Sequence, residues 1–183
     1  VMGHKETELV RAIFASPLGP LHLAASDDGL VEMLFAIQEP PAAGARPAAP
    51  GHPVLSQAAR ELDAYFAGAL TAFTVPLAPR GTLFQCAVWR ALVAIPFGQR
   101  CAYRDIARAL DKIGAERAVG AANGKNRIGI IVPCHRVVGA DGTLTGYAGG
   151  LDKKQWLLDH EARVADSRSP TVLRPAQRDL FGR

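Results

Sequence analysis

Cysteine is scarce in this sequence: of 183 residues only Cys86, Cys101 and Cys134 are cysteines, and no two of them form a C-x-x-C pair. An odd number of cysteines without that spacing argues against a disulfide framework and against a thiolate zinc site. The sequence also lacks a signal peptide and an apolar run long enough to cross a membrane. We therefore expect a protein of the reducing cytoplasm without membrane association.

A strong charge of either sign is lacking as well, since 21 Lys and Arg residues offset 17 Asp and Glu residues to leave +4. This balance permits a nucleic-acid partner without requiring one. The excess is local, because the segment from Arg100 to Arg136 has eight basic and three acidic residues. A hydrophobic content of 49 % excludes a chain that is disordered throughout.

The hydrophobic pattern predicts two domains and a tail. Residues 80–163 are predicted to form a mainly helical domain, and residues 164–183 a tail. The fold class is therefore α/β (α+β), with the main sheet in the first domain. That domain, residues 1–79, is predicted to contain strands at Val10–Ala15, Leu21–Ser26 and Leu30–Phe35, a loop at about 38–53 and a helix at Leu55–Phe66.

Helix signals are clear in the second domain. Thr82 and Gln85 have the spacing of a capping box, which starts a helix that ends before Pro96. The next two predicted helices are short and are separated by four residues, which suits a helix-turn-helix. The helices after Pro96 are predicted at Tyr103–Leu110, Ala115–Asn123 and about Leu151–Ala162.

Cys134 stands directly beside His135, at the end of an apolar, β-branched run that predicts a buried strand. A neighbouring His can hold a thiol as thiolate by lowering its pKa below the free value of about 8.5. A lone buried Cys is more often structural, but the residues around this pair favour a nucleophile. Cys86 and Cys101 are assigned to packing, the latter near the site.

Short motifs throughout both domains resemble the O6-alkylguanine-DNA alkyltransferase family, the self-inactivating DNA repair proteins. The resemblance extends from about Val10 to Glu161, in the family's order and near its spacing, and Pro-Cys-His-Arg is its most specific motif. The matching segments are Ser16–Gly19, Phe84-Gln85, Val88-Trp89, Pro96–Gly98, Tyr103 with Ile106-Ala107, Arg117–Gly120, Asn126, Pro133–Val137, Gly146–Leu151 and Lys154–Glu161.

This resemblance implies the activity of a methylated-DNA–protein-cysteine S-methyltransferase: direct, irreversible, single-turnover transfer of an alkyl group from guanine O6 to Cys134. His135 is implied to take the thiol proton through a water, and Glu161 to orient the imidazole. Asn126 is implied to brace the helix-turn-helix against the active-site segment, and Tyr103 to donate a proton to guanine N3. No metal or organic cofactor is implied.

A pocket for the guanine base follows from the same resemblance. Backbone N–H groups near Tyr147 and Ala148 are implied to hold O6, and Gly149 belongs to the same loop. The carbonyls of Cys134 and Val137 are implied to read the guanine amino group.

Double-stranded DNA is the implied partner, bound through its minor groove by a monomer, with the target nucleotide flipped out of the stack. Arg117 is implied to enter the stack in its place, while the small side chains of Ala118 and Ala121 let their helix lie close to the groove. Binding should depend on phosphates and weaken with salt. The other residues assigned to the DNA face are Tyr103, Arg104, Lys125, Arg127, Arg136 and Ala140.

Two residues depart from the family pattern. Ala102 stands where relatives carry Thr or Ser, which removes a helix N-cap worth about 1 kcal/mol. Arg127 follows Asn126 where relatives carry Pro, and we hypothesise that Arg127 contacts a phosphate.

Near the end of the sequence, Gln177–Phe181 resembles the short peptide that docks bacterial repair proteins on the replication sliding clamp. Arg178 departs from the consensus at its second position. We interpret this segment as an inert tail and keep clamp docking as the alternative.

Two other functions are alternatives at this stage. One is a DNA-binding lesion sensor without chemistry, although non-catalytic relatives lose the cysteine. The other is a Cys-His hydrolase, which needs an oxyanion hole and repeated turnover and leaves the helix-turn-helix unexplained. The sequence leaves open the preferred alkyl size, repair of O4-alkylthymine, cooperative binding along DNA and the role of the first domain.

Overall fold

The computed structural model describes residues 9–36, 46–47 and 51–168. Its N-terminal half contains β1 (Val10–Ser16), β2 (Gly19–Ser26), β3 (Gly29–Phe35), β4 (Arg46–Pro47) and α1 (Pro53–Phe66). The strands form one sheet in the order β3-β2-β1-β4, in which the first three are antiparallel neighbours and β4 is parallel to β1. Helix α1 packs against this sheet.

The C-terminal half is mainly helical. Its elements are α2 (Leu83–Val93), β5 (Cys101–Ala102), α3 (Tyr103–Ala109), α4 (Glu116–Gly124), a 3-10 helix (Cys134–Arg136), β6 (Val137–Val138) and α5 (Leu151–Arg168). Helices α2, α3 and α4 pack on one another, and β5 pairs parallel to β6. The predicted α/β fold class and the two short successive helices are confirmed.

Local sequence explains how the first hairpin and α2 begin. Ser16 Oγ donates to the Gly19 carbonyl (2.6 Å), and Gly19 adopts a φ of +95°, a region that other residues rarely adopt. At the start of α2, Thr82 Oγ1 accepts from the Gln85 N–H (3.2 Å), and Gln85 Oε1 accepts from the Thr82 N–H (2.9 Å). The predicted capping box is therefore confirmed.

The prediction of a buried strand before Cys134 is wrong. The chain from residue 128 to residue 133 is buried but turns, and Ile130 has a φ of +62°. Its contact with the sheet is made at Met33 of β3, whose N–H donates to the Arg127 carbonyl (2.7 Å) and whose carbonyl accepts from the Gly129 N–H (3.0 Å). The apolar, β-branched character of this segment reflects burial against the sheet and not extended pairing.

The predicted end of the last helix at about Ala162 is also wrong, since α5 continues to Arg168. Tertiary contacts extend it: Val164 packs against Gly68, and Arg168 Nη2 donates to the carbonyls of Gly68 (2.7 Å) and Ala69 (2.8 Å). Helix α5 thus includes residues 164–168, which were predicted to belong to the tail, and Gln177–Phe181 lies outside the described residues. The predicted loop at about 38–53 contains β4, and its other residues before 51 lie outside the described ranges.

Buried side chains from both halves form one continuous core. Leu55 and Leu62 of α1, Leu92 of α2 and Leu157 of α5 are fully buried in it. The active-site segment is therefore held from both sides. Within the described ranges, no helix is both long enough and apolar enough to cross a membrane.

Ala102 precedes α3 and offers no side-chain acceptor, although its N–H donates to Asp105 Oδ2 (2.8 Å). We expect Ala102→Ser to stabilise the protein by about 1 kcal/mol, because a hydroxyl there can accept from the N–H of Asp105. Urea unfolding at pH 7 measures the difference. Ala102→Val adds bulk without an acceptor and should give no gain. Equal stabilisation by the two variants would contradict the capping explanation.

Candidate active site

Cys134 lies at the start of the 3-10 helix and is 7 % exposed. Burial raises the pKa of its thiol, while Asn126 and the Lys154 ammonium act in the opposite direction. The neighbouring His suggested a thiol pKa below the free value, but in the resting structure the pKa is raised. Cys134 is a neutral thiol until a base takes its proton.

Asn126 holds the segment that leads to Cys134. Its Nδ2 donates to the Val132 carbonyl (2.8 Å), and its Oδ1 accepts from the Ile128 N–H (3.0 Å). Asn126 lies two residues after the end of α4, so these bonds connect the end of that helix to the turn that carries the cysteine.

Glu161 of α5 is 1 % exposed and accepts hydrogen bonds on both carboxylate oxygens. Its neighbours come from α1, from the loop after α2 and from the 3-10 helix. Oε1 accepts from Tyr65 Oη (2.9 Å), His135 Nε2 (2.8 Å) and Arg136 Nη2 (2.9 Å), and Oε2 from Arg136 Nε (2.8 Å) and the Gly98 N–H (3.0 Å).

The bonds to Glu161 keep it ionised. Burial alone would raise the pKa of the carboxyl, but the hydrogen bonds from His135 and Arg136 and the positive charge of Arg136 outweigh it and lower the pKa to about 2. Glu161 is therefore a carboxylate that accepts hydrogen bonds and does not take a proton near neutral pH.

Glu161 also sets the tautomer of His135. An ionised carboxylate only accepts, so His135 Nε2 must carry the hydrogen in their 2.8 Å bond. The second ring nitrogen, Nδ1, is buried and has no hydrogen-bond partner among the described protein groups. Burial lowers the pKa of His135, so the ring is neutral at rest and Nδ1 has a free lone pair. His135 is thus prepared to accept a proton.

The assignment of Arg136 to the DNA face is wrong. Arg136 is 6 % exposed, and its guanidinium binds Glu161 and donates to the Ile95 carbonyl. It also lies over the Phe97 ring, 5.7 Å from the centroid. A buried carboxylate needs a paired cation, and Arg136 is that cation.

Tyr103 and Lys154 meet at the loop that follows β6. The Tyr103 hydroxyl hydrogen-bonds to Thr145 Oγ1 (2.9 Å). Lys154 is fully buried, and its Nζ donates to the carbonyls of Thr145 (2.8 Å) and Val137 (2.7 Å). These bonds hold the loop beside the active-site segment, and they use one lone pair of the Val137 carbonyl.

The loop predicted to hold the guanine packs on β3. The Tyr147 ring contacts the Phe35 ring edge to face, with 5.9 Å between centroids. Gly149 is buried so closely against Phe35 that a Cβ would lie 2.7 Å from the ring. Ala148, between these two packed residues, is exposed.

Most residues assigned to the DNA face lie on accessible surface. Along α4, the exposed residues recur at the spacing of one helical face. Arg127 is 45 % exposed, and its Nε donates to Glu32 Oε1 (3.0 Å). The exposed members of the set are Arg104, Arg117, Ala118, Ala121, Lys125, Arg127 and Ala140, and Tyr103 is half-buried.

Comparison with known proteins identifies the family. Two family models match: "6-O-methylguanine DNA methyltransferase, ribonuclease-like domain" over residues 9–79, and "6-O-methylguanine DNA methyltransferase, DNA binding domain" over residues 83–163. The chain belongs to the 6-O-methylguanine DNA methyltransferase family.

Several relatives are similar over most of their length. A methylated-DNA–protein-cysteine methyltransferase of Methanosarcina acetivorans is 48 % identical over 150 residues, covering 82 % of this chain and 96 % of the relative. One from Mycobacterium bovis is 49 % identical, covering 86 % and 93 %. The crystal structure of the Mycobacterium tuberculosis O6-methylguanine methyltransferase has a TM-score of 0.78 at 46 % identity, covering 90 % and 96 %. The structure of the same organism's protein in complex with DNA has a TM-score of 0.76 at 46 % identity, covering 84 % and 93 %.

Several side chains around this family site received no role from the sequence. Tyr65 lies within the predicted helix at Leu55–Phe66, and nothing in the local sequence indicates a hydroxyl partner 96 residues away. Lys154 lies inside a matching motif, yet a lysine at the start of a helix gives no sign of being buried. Phe35 ends a predicted strand, and Thr145 lies outside the matching motifs, so neither is marked as a site residue by the sequence. Among the described residues, no group of three or more His, Cys, Asp or Glu could hold a metal ion.

We expect Glu161→Gln to destabilise the protein at pH 7 and to flatten the dependence of its stability on acid. The lowering of the Glu161 pKa from 4.5 to about 2 corresponds to roughly 3 kcal/mol. Because the folded-state pKa is the lower one, this stability is present above pH 4.5 and is lost as the pH falls toward 2. Urea unfolding between pH 7 and pH 3 measures both effects.

Glu32→Gln is the matched control, since Glu32 also pairs with arginines, Arg11 and Arg127, but close to the surface. We expect it to cost no more than about 1 kcal/mol. If Glu161→Gln cost as little and kept the wild-type pH dependence, the electrostatic description of this carboxylate would be wrong.

Proposed function

We propose that this protein repairs double-stranded DNA by transferring an alkyl group from guanine O6 to Sγ of Cys134, once per molecule. Family membership and the activity for which its relatives are named support the reaction class. Cys134 is assigned as the acceptor because of the tautomer that Glu161 imposes on His135. With the hydrogen on Nε2, Nδ1 is left as a basic nitrogen on the residue next to the thiol.

Activation begins with the thiol proton. His135 Nδ1 takes it from Cys134, through a bridging water as the family resemblance implies. Glu161 then stabilises the imidazolium through Nε2 without accepting the proton, since its pKa is about 2. The thiolate therefore forms when the alkyl carbon is close enough to be attacked. Without the lesion, burial raises the thiol pKa and keeps the thiol protonated and unreactive.

In the transfer step Cys134 Sγ attacks the alkyl carbon, so a sulfur–carbon bond forms as the carbon–O6 bond breaks. The electrons of the broken bond pass to guanine, and Tyr103 donates a proton to N3 so that guanine leaves uncharged. Tyr103 then regains a proton from solvent and the His135 imidazolium releases one to solvent, so in sum one proton leaves the thiol and one is gained by guanine. To reach guanine N3, the Tyr103 hydroxyl gives up its hydrogen bond to Thr145 and forms one to the base.

The product is a thioether on Cys134 and an unmodified guanine. A thioether is a poor leaving group, so the protein does not return to the thiol and each molecule acts once. This predicts a burst of repair equal to the amount of protein, without a steady state.

Base recognition is assigned to the loop that packs on Phe35. The N–H groups of Tyr147 and Ala148 hold O6, and Gly149 keeps the loop close to β3. The Val137 carbonyl accepts from Lys154 (2.7 Å) and has a second lone pair for the guanine amino group.

DNA binding is assigned to the exposed face of α4. Its small residues, Ala118 and Ala121, let the helix approach the minor groove, while Arg117 enters the space of the flipped nucleotide. Arg104 and Lys125 extend this face with positive charge for phosphates. We expect a monomer to bind, in the cytoplasm.

Intact-protein mass measures the reaction directly. After incubation with a duplex containing O6-methylguanine, the wild-type protein should gain the mass of one methyl group, and peptide mapping should place it on Cys134. Cys134→Ala should gain nothing, because the variant lacks the thiol that is proposed to accept the methyl group. Cys86→Ala and Cys101→Ala are the matched controls and should gain the full methyl group.

Two outcomes would overturn the proposal. Tight binding of the lesion duplex without any mass gain would identify a sensor. A methyl group on Cys86 or Cys101 would show that the acceptor is misassigned.

Arg127 provides a test of the DNA face. If Arg127 contacts a phosphate, Arg127→Gln should weaken duplex binding and lower the slope of log Kd against log salt by about 0.9. Fluorescence anisotropy at several salt concentrations measures the slope. Arg11→Gln removes the other arginine partner of Glu32 and should leave the slope unchanged. An unchanged slope in Arg127→Gln, or an equal decrease in both variants, would contradict the phosphate contact.

A further inference from the structure

Tyr65 lies in α1 of the N-terminal half, yet its hydroxyl donates to Glu161 Oε1 at 2.9 Å. The side chain is fully buried. Burial and the Glu161 charge raise the pKa of Tyr65 well above its ordinary value, so the hydroxyl keeps its proton and can only be the donor to the carboxylate. A group far from Cys134 in sequence thus touches the carboxylate that orients His135.

The oxygen that Tyr65 binds is the one that faces His135. His135 Nε2 donates to the same Oε1 at 2.8 Å. A carboxylate oxygen has few lone pairs, and each added donor draws charge away from the others. The Tyr65 hydroxyl therefore restricts both the rotation of the Glu161 carboxylate and the negative charge that Oε1 presents to His135.

The surroundings of Tyr65 hold the hydroxyl in place. The Tyr65 carbonyl is hydrogen-bonded to His160 Nε2 at 2.8 Å, which ties α1 to α5 one residue before Glu161. Its ring is packed among other aromatic rings, with centroids 5.2 to 6.0 Å away. Those rings belong to Phe66, Phe73, Phe97 and His160.

We infer that Tyr65 is a positioning residue for alkyl transfer, through which the N-terminal half sets the orientation of Glu161 and the basicity of His135. The inference rests on the roles of Glu161 and His135 proposed above. The polar contacts of Tyr65 are its hydroxyl bond to Glu161 and its carbonyl bond to His160, so it acts on the reaction through the carboxylate.

The pH dependence of the reaction distinguishes this role from simple packing. Without the Tyr65 hydroxyl, Oε1 is a better acceptor for His135 Nε2 and stabilises the imidazolium more strongly, so the pKa of His135 rises. The acid limb of the rate profile, where His135 is protonated and unable to act as base, then moves to higher pH. The other charged or titratable groups that face this pair are Cys134, Arg136, Tyr147 and Lys154, and the substitution leaves them in place.

Tyr65→Phe is the test, because it removes the hydroxyl and keeps the ring. Single-turnover transfer from an O6-methylguanine duplex is measured by quenched flow across the pH range. We expect the rate constant to fall roughly tenfold, as for loss of an outer hydrogen bond to an oriented histidine. We also expect the acid limb to move up by about half a pH unit. Any unfolded protein lowers the amplitude of the burst but not the pH at the midpoint of the acid limb. A less stable variant therefore still reports whether the acid limb has moved.

Arg168→Met is the matched control. Arg168 also ties α5 to the end of α1, through Gly68 and Ala69, but it does not touch Glu161. This variant should melt at a lower temperature while the rate constant and the acid limb stay at wild-type values. Adding Tyr65→Phe to Glu161→Gln should cause no further slowing, because the hydroxyl acts only through the carboxylate.

A wild-type rate and acid limb in Tyr65→Phe would reduce Tyr65 to a packing aromatic and overturn the inference. The same holds if Arg168→Met shifts the limb equally, or if Tyr65→Phe slows the Glu161→Gln variant further. Cys134→Ala separately tests the proposed function: methyl transfer by that variant would refute the reaction scheme, whereas a neutral Tyr65→Phe refutes only the positioning role.

Discussion

The buried carboxylate of Glu161 is the constraint on which the rest of the site depends. Removing a carboxylate from water costs several kcal/mol unless hydrogen bonds and a cation replace the solvent. Here the replacements come from α1, from the loop after α2 and from the 3-10 helix that carries Cys134. Five bonds make this burial tolerable, and one of them fixes the imidazole proposed to activate the thiol, so stability and the proposed reactivity depend on one group.

The N-terminal sheet contributes to the site as a platform. Met33 binds the turn that leads to Cys134, and Phe35 carries the loop proposed to hold the guanine. Both residues belong to β3, against which α1 packs. The first half therefore does more than pack, because its residues contact the turn that leads to Cys134 and the loop proposed to hold the guanine.

Much of this arrangement could be predicted from sequence where the signal is local. The strands on either side of Gly19 and the capping box at Thr82 are predicted from short-range patterns, and the structure has them. What the sequence could not provide depends on partners far along the chain. The apolar run before Cys134 predicts a strand equally well whether it pairs or turns under β3, and Arg136 looks like a DNA contact until Glu161 is seen beside it.

The span of chain between the partners in this site has a consequence for how the protein is made. Tyr65 and Glu161 are separated by 96 residues, with Cys134 and His135 between them. Synthesis proceeds from the N-terminus at about 5–20 residues per second, and domains fold as they emerge. On the ribosome, Cys134 therefore appears before the carboxylate that hydrogen-bonds to His135. Under the proposed mechanism the nascent thiol lacks its complete set of partners until α5 has been made, so reactivity arrives last, together with the finished fold.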